Sequence, residues 1–96
     1  NEPSAVGMGR AIAQAGLAGK IVAIGFDGSS VLQGFVRDGT LQAICVQSSY
    51  NMGYLGVKTA YDIAFAKKKV PAYVDTGFLM VTKQNIDTSA AKNVLY

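Results

Sequence analysis

Two short, largely apolar runs constrain this chain most: Ile21–Phe26 and Leu41–Val46, closed by Asp27 and Gln47 respectively. Runs of this length, bounded by turn residues, read as buried strands. Asp27-Gly28-Ser29-Ser30 follows the first run as a turn with capping residues. A short helical pattern then spans Val31–Asp38, with Leu32, Phe35 and Val36 inward and Gln33 and Arg37 outward, and Gly39 stops it. Strand, helix, strand in this order predicts an α/β fold on a parallel sheet. In such sheets the carboxyl ends of the strands border a crevice where ligands bind. Asp27 and Gln47 both fall at those ends.

The flanking segments extend the same pattern. Ala5, Met8, Ile12 and Ala15 recur at steps of three and four, which predicts a helix over 4–18, capped by Asn1 or Ser4 and ended by Gly16 and Gly19. Ser48 or Ser49 caps a longer helix reaching about Ala66. Its expected inner stripe is Met52, Leu55, Gly56, Thr59 and Ile63, with Lys58 and Asp62 outside. Lys67–Lys69 and Pro71 terminate it. Tyr73–Asp75 reads as extended, Phe78–Thr82 as a third strand, and Thr88–Leu95 as a short helix with Asp87 as its cap.

Composition excludes several functions. Half of the 96 residues are hydrophobic and 16% are charged, which no disordered tail shows. The net charge of +3 owes much to Lys67-Lys68-Lys69, a run that suits a solvated helix end. No basic stripe interleaves with aromatics, so a nucleic-acid partner is not expected. The chain has no histidine and one cysteine, Cys45, so metal-ligand spacing and an intrachain disulfide are both ruled out. Cys45, mid-strand, reads as core. No apolar run approaches a membrane span.

Residue 1 is not an initiator methionine, and a helix cap stands at the start with no strand feeding it. We therefore expect a piece of a longer protein. Strands this apolar are of the kind buried on both faces and call for more cover than these helices provide.

Each candidate site has an ordinary alternative. Gly7-Met8-Gly9 resembles the opening of a dinucleotide fingerprint, but that motif follows a strand. Here a capping segment precedes it, and helix packing accounts for the glycines better. A phospho-acceptor role for Asp27 requires companion acidic residues that the chain lacks. Asp27 either serves local backbone hydrogen bonds in its turn or projects a carboxylate into the crevice. Gln47 caps the next helix, lies exposed to solvent or contacts a ligand. Tyr50 and Tyr54, one helical turn apart, either pack together or shield a ligand.

Joint order and spacing carry further than any single residue. Asn1-Glu2-Pro3-Ser4-Ala5-Val6-Gly7, Gly25-Phe26-Asp27-Gly28, Gly39-Thr40-Leu41-Gln42-Ala43, and Gln47 followed by Met52-Gly53-Tyr54 together resemble the C-terminal third of ribose-type periplasmic binding proteins. Val74-Asp75-Thr76-Gly77 and Val81–Asp87 fit the end of such sequences. Many relatives have Asn-Asp where this chain has Asn1-Glu2, a departure that leaves Asn1 in place.

The resemblance implies a two-lobed fold of parallel sheets flanked by helices, with a sugar held between the lobes. Residues 1–47 would belong to the C-terminal lobe, 48–75 would cross and pack on the N-terminal lobe, and 76–96 would return. Asn1, Asp27 and Gln47 would bind sugar hydroxyls. The implied protein is no enzyme and needs no cofactor. It is the solute-binding component of an ABC-type sugar importer, periplasmic or otherwise extracytoplasmic. Its partners would be a sugar, a membrane permease and the remainder of its own chain. The alternative is the effector-binding domain of a LacI-type, sugar-responsive transcription regulator, which shares the fold.

Overall fold

The computed structural model describes residues 1–96. Helix α1 spans Glu2–Gln14, two residues earlier than its apolar period suggests. The reason is Asn1, whose Oδ1 accepts from the Ser4 N–H at 3.4 Å and the Ser4 hydroxyl at 3.0 Å. That satisfies an amide left orphaned by the first turn. The helix also stops short of residue 18. Gly16 adopts a φ of +68°, and the N–H groups of Leu17 and Gly16 return to the carbonyls of Ile12 and Ala13. This is the paired closure that a left-handed glycine permits.

Strand β1 is Ile24–Phe26, shorter than the apolar run, because its pairing with β2 begins at Ile24 opposite Ala43 and the Ala23 N–H donates to the Gln42 side chain at 2.6 Å instead. Helix α2, Ser30–Asp38, ends at Gly39 with φ +86°. Strand β2, Ala43–Gln47, pairs parallel to β1 with Gly25 opposite Ile44. Helix α3 spans Ser49–Ala64, β3 spans Phe78–Thr82 and α4 spans Ser89–Lys92.

The sheet has the order β1-β2-β3, and β3 runs antiparallel to β2. An all-parallel sheet is therefore corrected to a mixed one. The cause lies in the path of the chain. After α3 the backbone returns beside the end of β2, where the Ser48 N–H donates to the Gly77 carbonyl at 3.3 Å. The Asn51 side chain donates to the Thr76 carbonyl at 3.3 Å close by. Phe78 thus enters opposite Gln47, and β3 has only the reverse direction open to it.

One face of the sheet holds the core. Ile44, Val46 and Val81 pack there with Ala5, Ile12, Leu32, Val36, Leu41, Ile86 and Ala91. The α1–α2 contact is close. A Cβ added at Gly9 would lie 2.6 Å from the Phe35 ring, so the second glycine of Gly7-Met8-Gly9 serves helix packing. The opposite face is open. Ile24, Phe26, Phe78 and Met80 are exposed on it, and Cys45 is half-buried there. Strand alternation explains the correction to Cys45: its neighbours Ile44 and Val46 take the covered face.

Helix α3 has no buried residue. Of its expected inner stripe, Leu55 and Thr59 are half-buried, whereas Met52, Gly56 and Ile63 are exposed. Its end comes at Ala64 rather than Ala66, followed by Lys67 at φ +49°. Helix α4 is shorter than expected and is capped by Thr88, whose Oγ1 accepts from the Ala91 N–H. Asp87 does not cap it. Its carboxylate pairs with Arg37 at 2.8 Å instead. No helix is long and apolar enough to cross a membrane.

Candidate functional site

Three element ends meet at one edge: the start of α1 and the ends of β1 and β2. Asp27 leaves β1 with φ +83°, a left-handed conformation uncommon outside glycine although asparagine and aspartate tolerate it. Its own N–H is tied to the Cys45 carbonyl at 2.9 Å. One carboxylate oxygen, Oδ2, accepts from the Glu2 N–H at 3.0 Å. The other, Oδ1, accepts from Gln47 Nε2 at 3.2 Å.

The Glu2 amide belongs to the first turn of α1. Its pairing with a carboxylate is the favoured use of a helix N-terminus. Gln47 is directed by elementary chemistry. An ionised carboxylate only accepts, so the amide must offer its NH2 and leave Oε1 facing outward. Asn1, one residue before Glu2, spends its Oδ1 on the helix cap, and its NH2 has no protein partner. The edge therefore displays two amide groups and a carboxylate with lone pairs to spare. An alternating set of donors and acceptors suits a molecule that both donates and accepts hydrogen bonds, as vicinal hydroxyls do.

All three residues expected at the site are thus close together, through direct hydrogen bonds for Asp27 and Gln47 and through the Glu2 backbone for Asn1. Asp27 and Gln47 are half-buried and Asn1 is exposed. The Asp27 carboxylate serves a backbone amide 25 residues away rather than its own turn, and it lies at the edge beside Gln47. Ser48, not Gln47, caps α3, accepting from the Asn51 N–H at 3.3 Å. Tyr50 and Tyr54 stack on each other, with ring centroids 6.2 Å apart, in a groove along α3 that includes none of the three polar residues.

Sequence reasoning missed Phe26, Glu2, Gln33 and Tyr96 as neighbours of the edge. Phe26 lines both a shallow groove beside Asn1 and another beside Gln47. It could have been noticed as an aromatic next to the strand-end aspartate. Tyr96 had no local signal. Its hydroxyl donates to the Glu2 carboxylate at 3.3 Å across 94 residues of chain. Desolvation first, and then the negative charges of Asp27 and Glu2, hold its phenol above the ordinary tyrosine range.

Comparison with known proteins gives the family of the chain. The family described as the periplasmic binding protein domain matches residues 1–68. The chain belongs to that family, and its mixed α/β fold is that of type I periplasmic binding proteins. An ABC transporter solute-binding protein from Agrobacterium vitis, crystallised with D-fucose, is 62% identical over the whole chain with a TM-score of 0.90. A carbohydrate transporter solute-binding protein from Agrobacterium radiobacter, in complex with D-arabinose, is 39% identical over 96% of the chain with a TM-score of 0.85. The D-allose-binding periplasmic protein of Escherichia coli K12 is 31% identical over 74% of the chain. The chain spans only 33%, 31% and 23% of these three proteins respectively. The first two are described as transporter solute-binding proteins with a bound sugar, and the third as a sugar-binding periplasmic protein.

Proposed function

We propose that this chain forms one side of the sugar-binding cleft in the solute-binding component of an ABC-type sugar importer. It works by capture and not by chemistry. Asn1, Asp27 and Gln47 hold sugar hydroxyls from this side, and the remainder of the protein closes over the other. The carrying observation is the Asp27 carboxylate, held between the Glu2 amide and Gln47 at the junction of three element ends. Identity of 62% to a protein crystallised with D-fucose supports a monosaccharide or related polyol as ligand.

The lobe assignment follows the same logic. Residues 1–47 and 76–96 belong to one lobe, supported by the β1-β2-β3 sheet they share. Residues 48–75 cross to the other lobe, and the unburied α3 is the surface they bring to it. Closure about these crossings traps the ligand, and a membrane permease reads the closed form on the extracytoplasmic side.

Hydrogen bonds to a charged acceptor contribute about 1.5–3 kcal/mol each. Asp27→Ala in the full-length protein should therefore weaken D-fucose binding at least tenfold, about 1.4 kcal/mol. Titration calorimetry checks this, and an unchanged affinity overturns the role of Asp27.

A further inference from the structure

The turn that carries Asp27 is gripped from outside the site. Gly28 follows Asp27, and its carbonyl accepts two hydrogen bonds, from Gln33 Nε2 at 2.8 Å and from the Tyr96 N–H at 3.1 Å. Gln33 also donates to the Tyr96 carbonyl at 3.1 Å, so one amide links the turn to the last segment of the chain. Leu95 presses on the same point. A Cβ added at Gly28 would lie 2.8 Å from Val46 and 3.1 Å from Leu95. The Tyr96 hydroxyl then reaches Glu2, whose N–H holds the Asp27 carboxylate.

Left-handed backbone at a non-glycine residue is unfavourable and persists only where its surroundings over-determine it. At Asp27 those surroundings are β2 on one side and the Val94–Tyr96 segment on the other. This segment lies outside residues 1–68, the part matched by the family as a whole. We infer that the Gln33 side chain and the Tyr96 main chain are positioning groups, which hold the Gly28–Ser29 peptide beside the left-handed Asp27 and so aim the carboxylate at the sugar. They need not touch the ligand. The inference rests on the proposed role of Asp27.

Two measurements on the intact protein test it, with Gln33→Met removing the bridge while keeping side-chain size. The first needs no ligand. Amide hydrogen exchange at Glu2 and Asp27 should quicken at least tenfold in Gln33→Met, while Ile44 in the core of β2 keeps its protection. Unchanged exchange at Glu2 and Asp27 overturns the inference, as does equal loss at Ile44, which marks general loosening. The second is a double-mutant cycle with D-fucose, D-arabinose or D-allose, using whichever the parent binds most tightly. Gln33→Met should weaken binding three- to tenfold in the parent and have no effect in an Asp27→Ala background. Tyr96→Phe, which keeps the main-chain bonds to Gly28 and Gln33, should stay within twofold of the parent.

An equal effect in both backgrounds overturns positioning through Asp27. If Asp27→Ala weakens binding and Gln33→Met does not, the positioning role alone falls. If Asp27→Ala itself changes nothing, or none of the three sugars binds, the sugar-site reading falls and the positioning role with it.

Discussion

Asp27 shows how one side chain can serve two purposes. Its carboxylate completes the N-terminus of α1, and the same group faces the edge with Gln47. A strand-end aspartate before a Gly-Ser-Ser turn was legible in the sequence. Its partner was not, because the Glu2 amide lies 25 residues away and any residue type supplies a backbone N–H. Asp87 gives the opposite lesson. Its place before Thr88 suggested a cap, but it accepts two hydrogen bonds from Arg37, 50 residues distant. The ion pair with Arg37 holds the Asp87 carboxyl below its ordinary value of 3.8. A group depressed in the folded state adds stability above its unfolded value and loses it as pH falls through the folded one. Asp87→Asn should therefore be less stable than the parent near neutrality. The difference should vanish as pH drops below 3.8. Both residues are well exposed, so the gap should be small. Chemical denaturation at a series of pH values measures it, and a gap that widens in acid contradicts the assignment.

At the scale of elements, local chemistry decided most of what was read correctly. Helices α1, α2 and α3 follow from apolar periods, with side-chain caps from Asn1 on α1 and Ser48 on α3 and stopping glycines after α1 and α2, and their boundaries moved by only a few residues. Strand β3 was found by its apolar run, while its direction was set by a return path that no local pattern encodes. Cys45 was misplaced for a related reason, since a strand that reads as uniformly apolar does not reveal that one of its faces lacks cover. The α1–α2 contact supports a sharp expectation. In Gly9→Ala the new methyl would meet the Phe35 ring at 2.6 Å, and overpacking of this kind costs about 1–3 kcal/mol. Adding Phe35→Leu should recover part of the loss, because it removes the atoms in conflict. Urea unfolding of the two single variants and the double reports the coupling. Strictly additive effects would show that the two residues do not meet as described.

For the molecule as a whole, the surface matters more than the core. Phe26, Phe78, Ile24 and Met80 lie open on the sheet, and α3 adds Tyr50, Tyr54, Val57 and Tyr61, with Phe65 just past its end, all exposed. The radius of gyration is 16.8 Å, against roughly 12.5 Å for a compact chain of this length. The 96-residue chain studied alone should therefore bind an apolar dye strongly and associate at micromolar concentrations, and sedimentation velocity will show it. A stable, cooperatively folding monomer would contradict this.

The neck beneath α3 has a mechanical consequence. Residues 49–76 leave and rejoin the sheet at one spot, where hydrogen bonds join Ser48 to Gly77 and Asn51 to Thr76. The 16 residues of α3 make a lever about 24 Å long. A tilt of about 10° at the neck sweeps its far end through roughly 4 Å, as the 1.5 Å rise per residue dictates. Gln47 is the last residue of β2 before that fulcrum, so the side chain that touches Asp27 also stands where any swing of the lever begins.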